Sequence, residues 1–195
     1  PEPGNYGGQR MRKNFGAKPM CYPMPVYIIG TYNADGTPNA MNAAWGCLAD
    51  TNQIALYIAG EHKTTKNILA RKAFTVSIAD AAHVVEADYV GIESGNKAPD
   101  KMEKAGFHTR KSEFVNAPLI DELPMALECK LVSYDEESEL LIGEIVNVCA
   151  DERILTDGKI DPAKLNPITY DPVNHDYLVL GAKVGNAFED GNKLK

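Results

Sequence analysis

Met125-Ala126-Leu127-Glu128-Cys129-Lys130-Leu131-Val132-Ser133-Tyr134 alternates apolar and polar residues, and Glu139-Leu140-Leu141-Ile142-Gly143-Glu144-Ile145-Val146-Asn147-Val148-Cys149-Ala150 follows across the acidic turn Asp135 to Ser138. A period of two sends alternate side chains to opposite faces of a sheet. Two such runs around a short polar turn predict a long antiparallel hairpin. Further strand-like runs lie upstream. Val26 to Tyr32 is β-branched and aromatic, and Asn33-Ala34-Asp35-Gly36 is a turn whose glycine takes positive φ. Pro38 to Cys47 returns as a second strand, Gln53 to Ala59 is a third, and Ala73 to Ile78 a fourth. Tyr177-Leu178-Val179-Leu180 is a short last strand. Six or more strands at hairpin spacing predict a mainly β, closed antiparallel barrel rather than a doubly wound sheet.

Helical patterns occur only as insertions, at His62 to Lys72, Ala81 to Tyr89 and Asp100 to Ala105. A short strand is expected at Glu113-Phe114-Val115, and Asp151 to Pro167 reads as loop. No internal repeat or linker divides the chain. The 195 residues are read as a flexible arm, 1–15, and a single domain, 16–195.

The net charge of −7 and pI near 5.1 argue against a nucleic-acid or anionic-membrane partner. No apolar run approaches the ~20 residues needed to span a bilayer. Cys21, Cys47, Cys129 and Cys149 form no C-x-x-C pair, and three sit in strand-like runs. Buried reduced thiols are the expectation, with neither a disulfide framework nor a zinc site, and a cytoplasmic protein fits.

The helix beginning His62-Lys63-Thr64-Thr65-Lys66-Asn67-Ile68 carries the chemistry. Helix first turns favour acids because the macrodipole is positive there. This one holds Lys63 and Lys66, and no acid follows until Asp80. With Thr64 or Thr65 as cap, free amides, hydroxyls and ammonium groups converge on one point suited to a phosphate. A Thr-capped surface helix with solvated lysines accounts for the segment alone equally well. Elsewhere catalytic patterns are missing. There is no G-x-G-x-x-G, no Walker spacing around Ser94-Gly95-Asn96-Lys97, no H-E-x-x-H and no G-x-S-x-G. The four histidines are isolated, with His62 and His175 carrying slightly more weight by position. An enzyme built this way needs a cofactor to supply its chemistry.

The order Pro23-x-Pro25, Gly30-Thr31, Pro38-Asn39, Asn42-Ala43-Ala44-Trp45, Lys63-Thr64-Thr65-Lys66-Asn67-Ile68, Phe74-Thr75-Val76-Ser77, Ser94-Gly95, Asp100-Lys101, Gly143-Glu144-Ile145 resembles the flavin reductase-like FMN-binding split barrels, most closely the flavoredoxin branch. The resemblance runs from about Gly16 to Phe188. It implies a six-stranded antiparallel split barrel, Greek-key-like with short inserted helices, usually a homodimer with one FMN per subunit. It places Asn39 and the Asn42, Ala43, Ala44, Trp45 stretch beside the flavin ring and Lys63, Thr64, Thr65, Lys66 and Asn67 at the phosphate. Lys101, or Lys97 as the alternative, lies near the cofactor, and Tyr177 closes over the site. Relatives often carry Thr-x-Ser-Trp where this chain has Asn42-Ala43-Ala44-Trp45, so a side-chain hydroxyl is lost at Ala44. Taken alone, Trp45 reads as a core aromatic and Asn42, in a strand, as a residue serving a polar partner.

The implied function is a flavoprotein oxidoreductase. Electrons would pass from NAD(P)H or a protein donor through FMN to a flavin, metal or protein acceptor. Two alternatives stand beside it: a non-catalytic FMN-binding electron carrier, and a related barrel for another phosphorylated cofactor.

Overall fold

The computed structural model describes residues 11–195. The expected arm therefore lies mostly outside the described residues; Met11 to Phe15 are exposed. In chain order the elements are β1 (Met24–Pro25), β2 (Tyr27–Tyr32), β3 (Pro38–Ala43), β4 (Gly46–Asp50), β5 (Gln53–Tyr57), α1 (Lys63–Arg71), β6 (Ala73–Ile78), α2 (Val84–Ile92) and α3 (Lys101–Ala105). Then come β7 (Thr109–Lys111), β8 (Pro118–Ile120), β9 (Met125–Asp135), β10 (Leu140–Ala150), β11 (Leu155–Thr156), β12 (Lys159–Ile160), α4 (Pro162–Leu165), β13 (Ile168–Asp171) and β14 (Asp176–Val179).

The expected hairpin is β9–β10, with Tyr134 opposite Leu141 and Met125 opposite Ala150. It is the middle of an antiparallel sheet of order β3-β2-β6-β9-β10-β5-β4. The two edge strands of that order are halves of one run, Pro38 to Asp50, interrupted at Ala44–Trp45. The first half pairs with β2 and the second with β5. The Tyr57 amide still donates to the Trp45 carbonyl at 2.9 Å across the break. Six runs thus curl into a split barrel, the shared strand changing partners where a continuous one was expected. Closure in this manner leaves little free edge.

Ile29, Ile54, Leu56, Phe74, Val76, Leu127, Cys129 and Leu141 fill the barrel. A second apolar layer packs α2, α3 and the following loop against the outer face of β2–β3 through Ile28, Ala40, Ala87, Val90, Met102 and Phe107. That layer holds the helices next to α1, and a cleft opens where they meet.

Several local expectations are corrected. Glu113–Val115 is not a strand; it is a turn between β7 and β8, held by Ser112 Oγ, which accepts from the amides of Phe114 and Val115 at 3.0 Å each. The stretch read as loop carries β11, β12 and α4. Trp45 is not a core aromatic but 54% exposed. Cys129 is buried as expected, whereas Cys21 and Cys47 are exposed. Among the described residues no helix is long and apolar enough to cross a membrane.

Asp171 ties the β13–β14 turn to the segment before β1. Its carboxylate accepts from the Tyr22 hydroxyl, from Asn174 Nδ2 at 2.9 Å and from the Val173 amide at 2.8 Å. These donors hold the carboxyl down at about 2 against an ordinary 3.8, with the Tyr22 hydroxyl the largest cause. The same bond pushes Tyr22 up to about 12. A lowered carboxylate pKa stabilises the fold above the unfolded value and loses that stabilisation as pH falls toward the folded one. Asp171→Asn should therefore flatten the stability decline between pH 3.8 and about 2, read by chemical denaturation at each pH. An unchanged acid limb would remove Asp171 from that transition.

Candidate functional site

α1 begins at Lys63 with His62 as its N-cap residue, and no side chain caps it. The expectation that Thr64 or Thr65 caps the helix is not met. The Thr64 hydroxyl accepts from Asn39 Nδ2 at 3.2 Å, and the Thr65 hydroxyl donates to the Ala59 carbonyl at 2.7 Å. No acid stands in the first turn. The first helical bond runs from the Lys66 amide to the His62 carbonyl at 3.1 Å, leaving the amides of Lys63, Thr64 and Thr65 ahead of it.

That helix end faces a cleft of about 330 Å³ formed with β3, the C-terminal turn of α2 and the loop that leads into α3. Asn39, Asn42, Lys63, Thr64, Lys97 and Lys101 line it, joined by residues the sequence did not single out, Met41, Glu61 and Glu93. The loop fits because residue 95 is glycine: a Cβ there would sit 2.6 Å from Asn39 Oδ1. Gly91 likewise approaches Asn42, where a Cβ would meet Asn42 Cβ at 2.9 Å.

Lys101 is the notable group in the cleft. It is 3% exposed, and among the described residues no carboxylate forms an ion pair with it. Burial pulls its ammonium down to about 8 from 10.5, against an opposing attraction to Glu93. A cation buried to this extent with no ion pair of its own is costly unless an anion arrives. Together with an uncapped, acid-free helix N-terminus and a wall of hydroxyl and amide groups, it fits a phosphorylated cofactor.

A second chamber of about 280 Å³ shares Asn42, Gly91 and Ile92 with the cleft and adds Ala44, Asp88, Tyr170 and Tyr177. The Tyr177 hydroxyl donates to Asp88 at 2.7 Å, and burial followed by that bond raises its pKa. Asn42 donates to the Ala87 carbonyl of α2 at 3.0 Å, so it does serve a polar partner.

The remaining sequence candidates stand elsewhere. Ala43 points into the barrel core, and Trp45 lies on the outer surface. Lys66 is exposed and does not line the cleft. Asn67 is spent on Thr31 Oγ1 at 3.0 Å and Asn33 Oδ1 at 2.9 Å, fixing α1 to β2 and its turn. Asp88 and Tyr170 had no sequence signal of their own, since an acid on a helix and an aromatic near a turn are commonplace.

The flavin reductase-like domain family matches residues 20–170. The fold is similar to that of flavoredoxin of Desulfovibrio vulgaris (Miyazaki F), 38% identical, with a TM-score of 0.89 over 93% of this chain and 100% of that one. It is also similar to flavoredoxin from Methanosarcina acetivorans, 27% identical, with a TM-score of 0.84 over 96% of this chain and 100% of that one. An FMN-binding domain of a flavin reductases-like enzyme from Shewanella baltica shares the fold at 20% identity and a TM-score of 0.74, over 83% of this chain and 88% of that one. The chain belongs to the flavin reductase-like family, and its likeness to both flavoredoxins places it in their branch. A flavin-associated redox function goes with that membership.

Proposed function

We propose that the protein is an FMN-dependent oxidoreductase. The phosphate binds at the first turn of α1, against Lys63, Thr64 and the leading amides, with Lys101 as the buried counter-charge and Lys97 at the rim. The ring lies toward Asn42 and Ala44, and the second chamber with Tyr170 and Tyr177 stays open to the electron donor or acceptor. FMN, when bound, supplies the redox chemistry. The chain's residues bind and orient it, and keep water from the phosphate end. The observation that carries the reading is the unpaired, buried Lys101 in the same cleft as an acid-free helix start.

The test is the visible spectrum of the purified protein after incubation with FMN and desalting. Retained oxidised-flavin bands are expected, and they should be lost in Lys63→Ala/Thr64→Ala. Retention in that variant would move the phosphate elsewhere. Steady-state NAD(P)H oxidation with added flavin then separates an enzyme from an electron carrier, because a carrier gives only background rates. The proposal places the chain in a reducing cytoplasm, where its cysteines stay as thiols.

The reading includes a homodimer. Trp45 and Tyr57, neighbours across the strand break, are 54% and 52% exposed, and Leu48 on the edge strand β4 is 66% exposed. Leu48→Lys should halve the mass measured by light scattering at micromolar concentration. A wild-type monomer in the same experiment would remove the dimer from the reading.

A further inference from the structure

A third cavity, of about 300 Å³, lies between the β7–β8 hairpin and the ends of β9 and β10. It shares no residue with the two chambers above. Its floor holds Glu128, which is 1% exposed. One carboxylate oxygen accepts from the Ser112 hydroxyl at 2.6 Å, and the other accepts from Asn147 Nδ2. Through Ser112 the carboxylate anchors the turn at Phe114–Val115.

Anchoring does not account for the charge. Both partners are neutral, and they use about two of a carboxylate's roughly four acceptor positions. Among the described residues no lysine, arginine or histidine forms an ion pair with Glu128. Arg110 lines the cavity but is held by Asp121 at 3.1 Å. A carboxylate on a nearly dry floor, bonded only to neutral donors, calls for a cation. Leu119, Ile120 and Leu123 form an apolar wall with Phe114, 54% exposed, beside them, while the exposed rim carries Lys111, Glu113, Asp121 and Asp151.

We propose that this cavity is a binding site for a small organic cation, an ammonium or amidinium head on a compact apolar body, with Glu128 as its counter-charge. The head donates to the unused acceptor positions of Glu128, and the body packs against Leu119, Leu123 and Phe114. The volume is at the small end of ligand pockets, which fits a single-ring compound. The site is independent of the flavin reading.

Benzamidine and its neutral isostere benzamide are the probes, each titrated into the isotope-labelled full chain and followed by amide NMR shifts. Benzamidine should give saturable shifts around Glu128, Asn147 and Cys149, with benzamide at least about tenfold weaker. Glu128→Gln should abolish that preference without changing FMN retention. Should Glu128→Gln not fold, Phe114→Ala, at an exposed position, must weaken benzamidine by about threefold or more. Three results would overturn the proposal: no saturable shift up to ~10 mM, equal binding of the two probes, or shifts confined to the cleft around Asn39 and Lys101. An unchanged affinity in Phe114→Ala would do the same.

Discussion

Lys101→Met is expected to weaken FMN binding by roughly tenfold to a hundredfold while raising the melting temperature of the flavin-free protein. The two effects share one cause. In the flavin-free protein Lys101 is 3% exposed and its ammonium has no ion-pair partner among the described residues, so it opposes folding. Met keeps most of the apolar volume and removes the charge. With a phosphate in the cleft the same charge becomes the main electrostatic attraction, and its loss appears in affinity. A lysine that merely packs would lower stability on substitution and leave affinity alone, so the opposite signs distinguish the roles. Fluorescence titration of FMN and thermal unfolding of the flavin-free protein give both numbers.

The pH dependence follows from the same group. The folded, flavin-free protein releases this proton near 8, whereas the unfolded chain holds it to about 10.5. Between those values the unfolded state binds more protons, so Lys101 opposes folding fully below pH 8 and progressively less as pH rises to 10.5. FMN binding runs the other way. A bound phosphate raises the ammonium pKa, so affinity holds below pH 8 and falls above it, by at most about tenfold per pH unit. Lys101→Met should show no such decline above pH 8. A wild-type affinity that stays level from pH 7 to 10 would detach Lys101 from the ligand.

Some of this was legible in the sequence, for identifiable reasons. β9 and β10 were plain because β9 alternates over a long run and a second long strand-like run follows it across a short acidic turn. The first turn of α1 was plain because an acid-free, lysine-bearing helix start runs against the macrodipole. What the sequence hid depends on contacts distant in the chain. Nothing in Ala44-Trp45 marks a strand break; the break arises because the run Pro38–Asp50 must pair with β2 at one end and β5 at the other. Lys63 to Asn67 were read as one phosphate patch, yet successive helical residues turn by about 100°. Only Lys63 and Thr64 of that stretch therefore line the cleft, while Thr65 and Asn67 bond to neighbouring strands and loops. The burial of Lys101 was hidden too, since a lysine at a helix start ordinarily extends into solvent.

Gly143→Ala should destabilise the fold by about 2–3 kcal/mol, a shift of roughly 5–10 °C for a chain of this size. Gly143 sits in β10 opposite Leu131 of β9 and Ile54 of β5, buried in the barrel wall. Its missing side chain is what lets Phe74 occupy the interior. A Cβ would overlap the tip of the Phe74 ring, with Cε1 at 2.9 Å and Ile54 Cγ2 at 3.5 Å. Phe74 is fully buried and packed from several strands, so its ring cannot swing aside without displacing Ile54, Leu127 or Leu141. Trimming the ring supplies the check. Phe74→Leu alone costs stability by leaving a cavity, but it vacates the space the new methyl needs. Gly143→Ala/Phe74→Leu should then be more stable than the two single effects added together predict, by about 1 kcal/mol or more in a double-mutant cycle. Strict additivity would mean that the barrel relaxes around residue 143 by moving its backbone, and that the glycine is not what seats the phenylalanine.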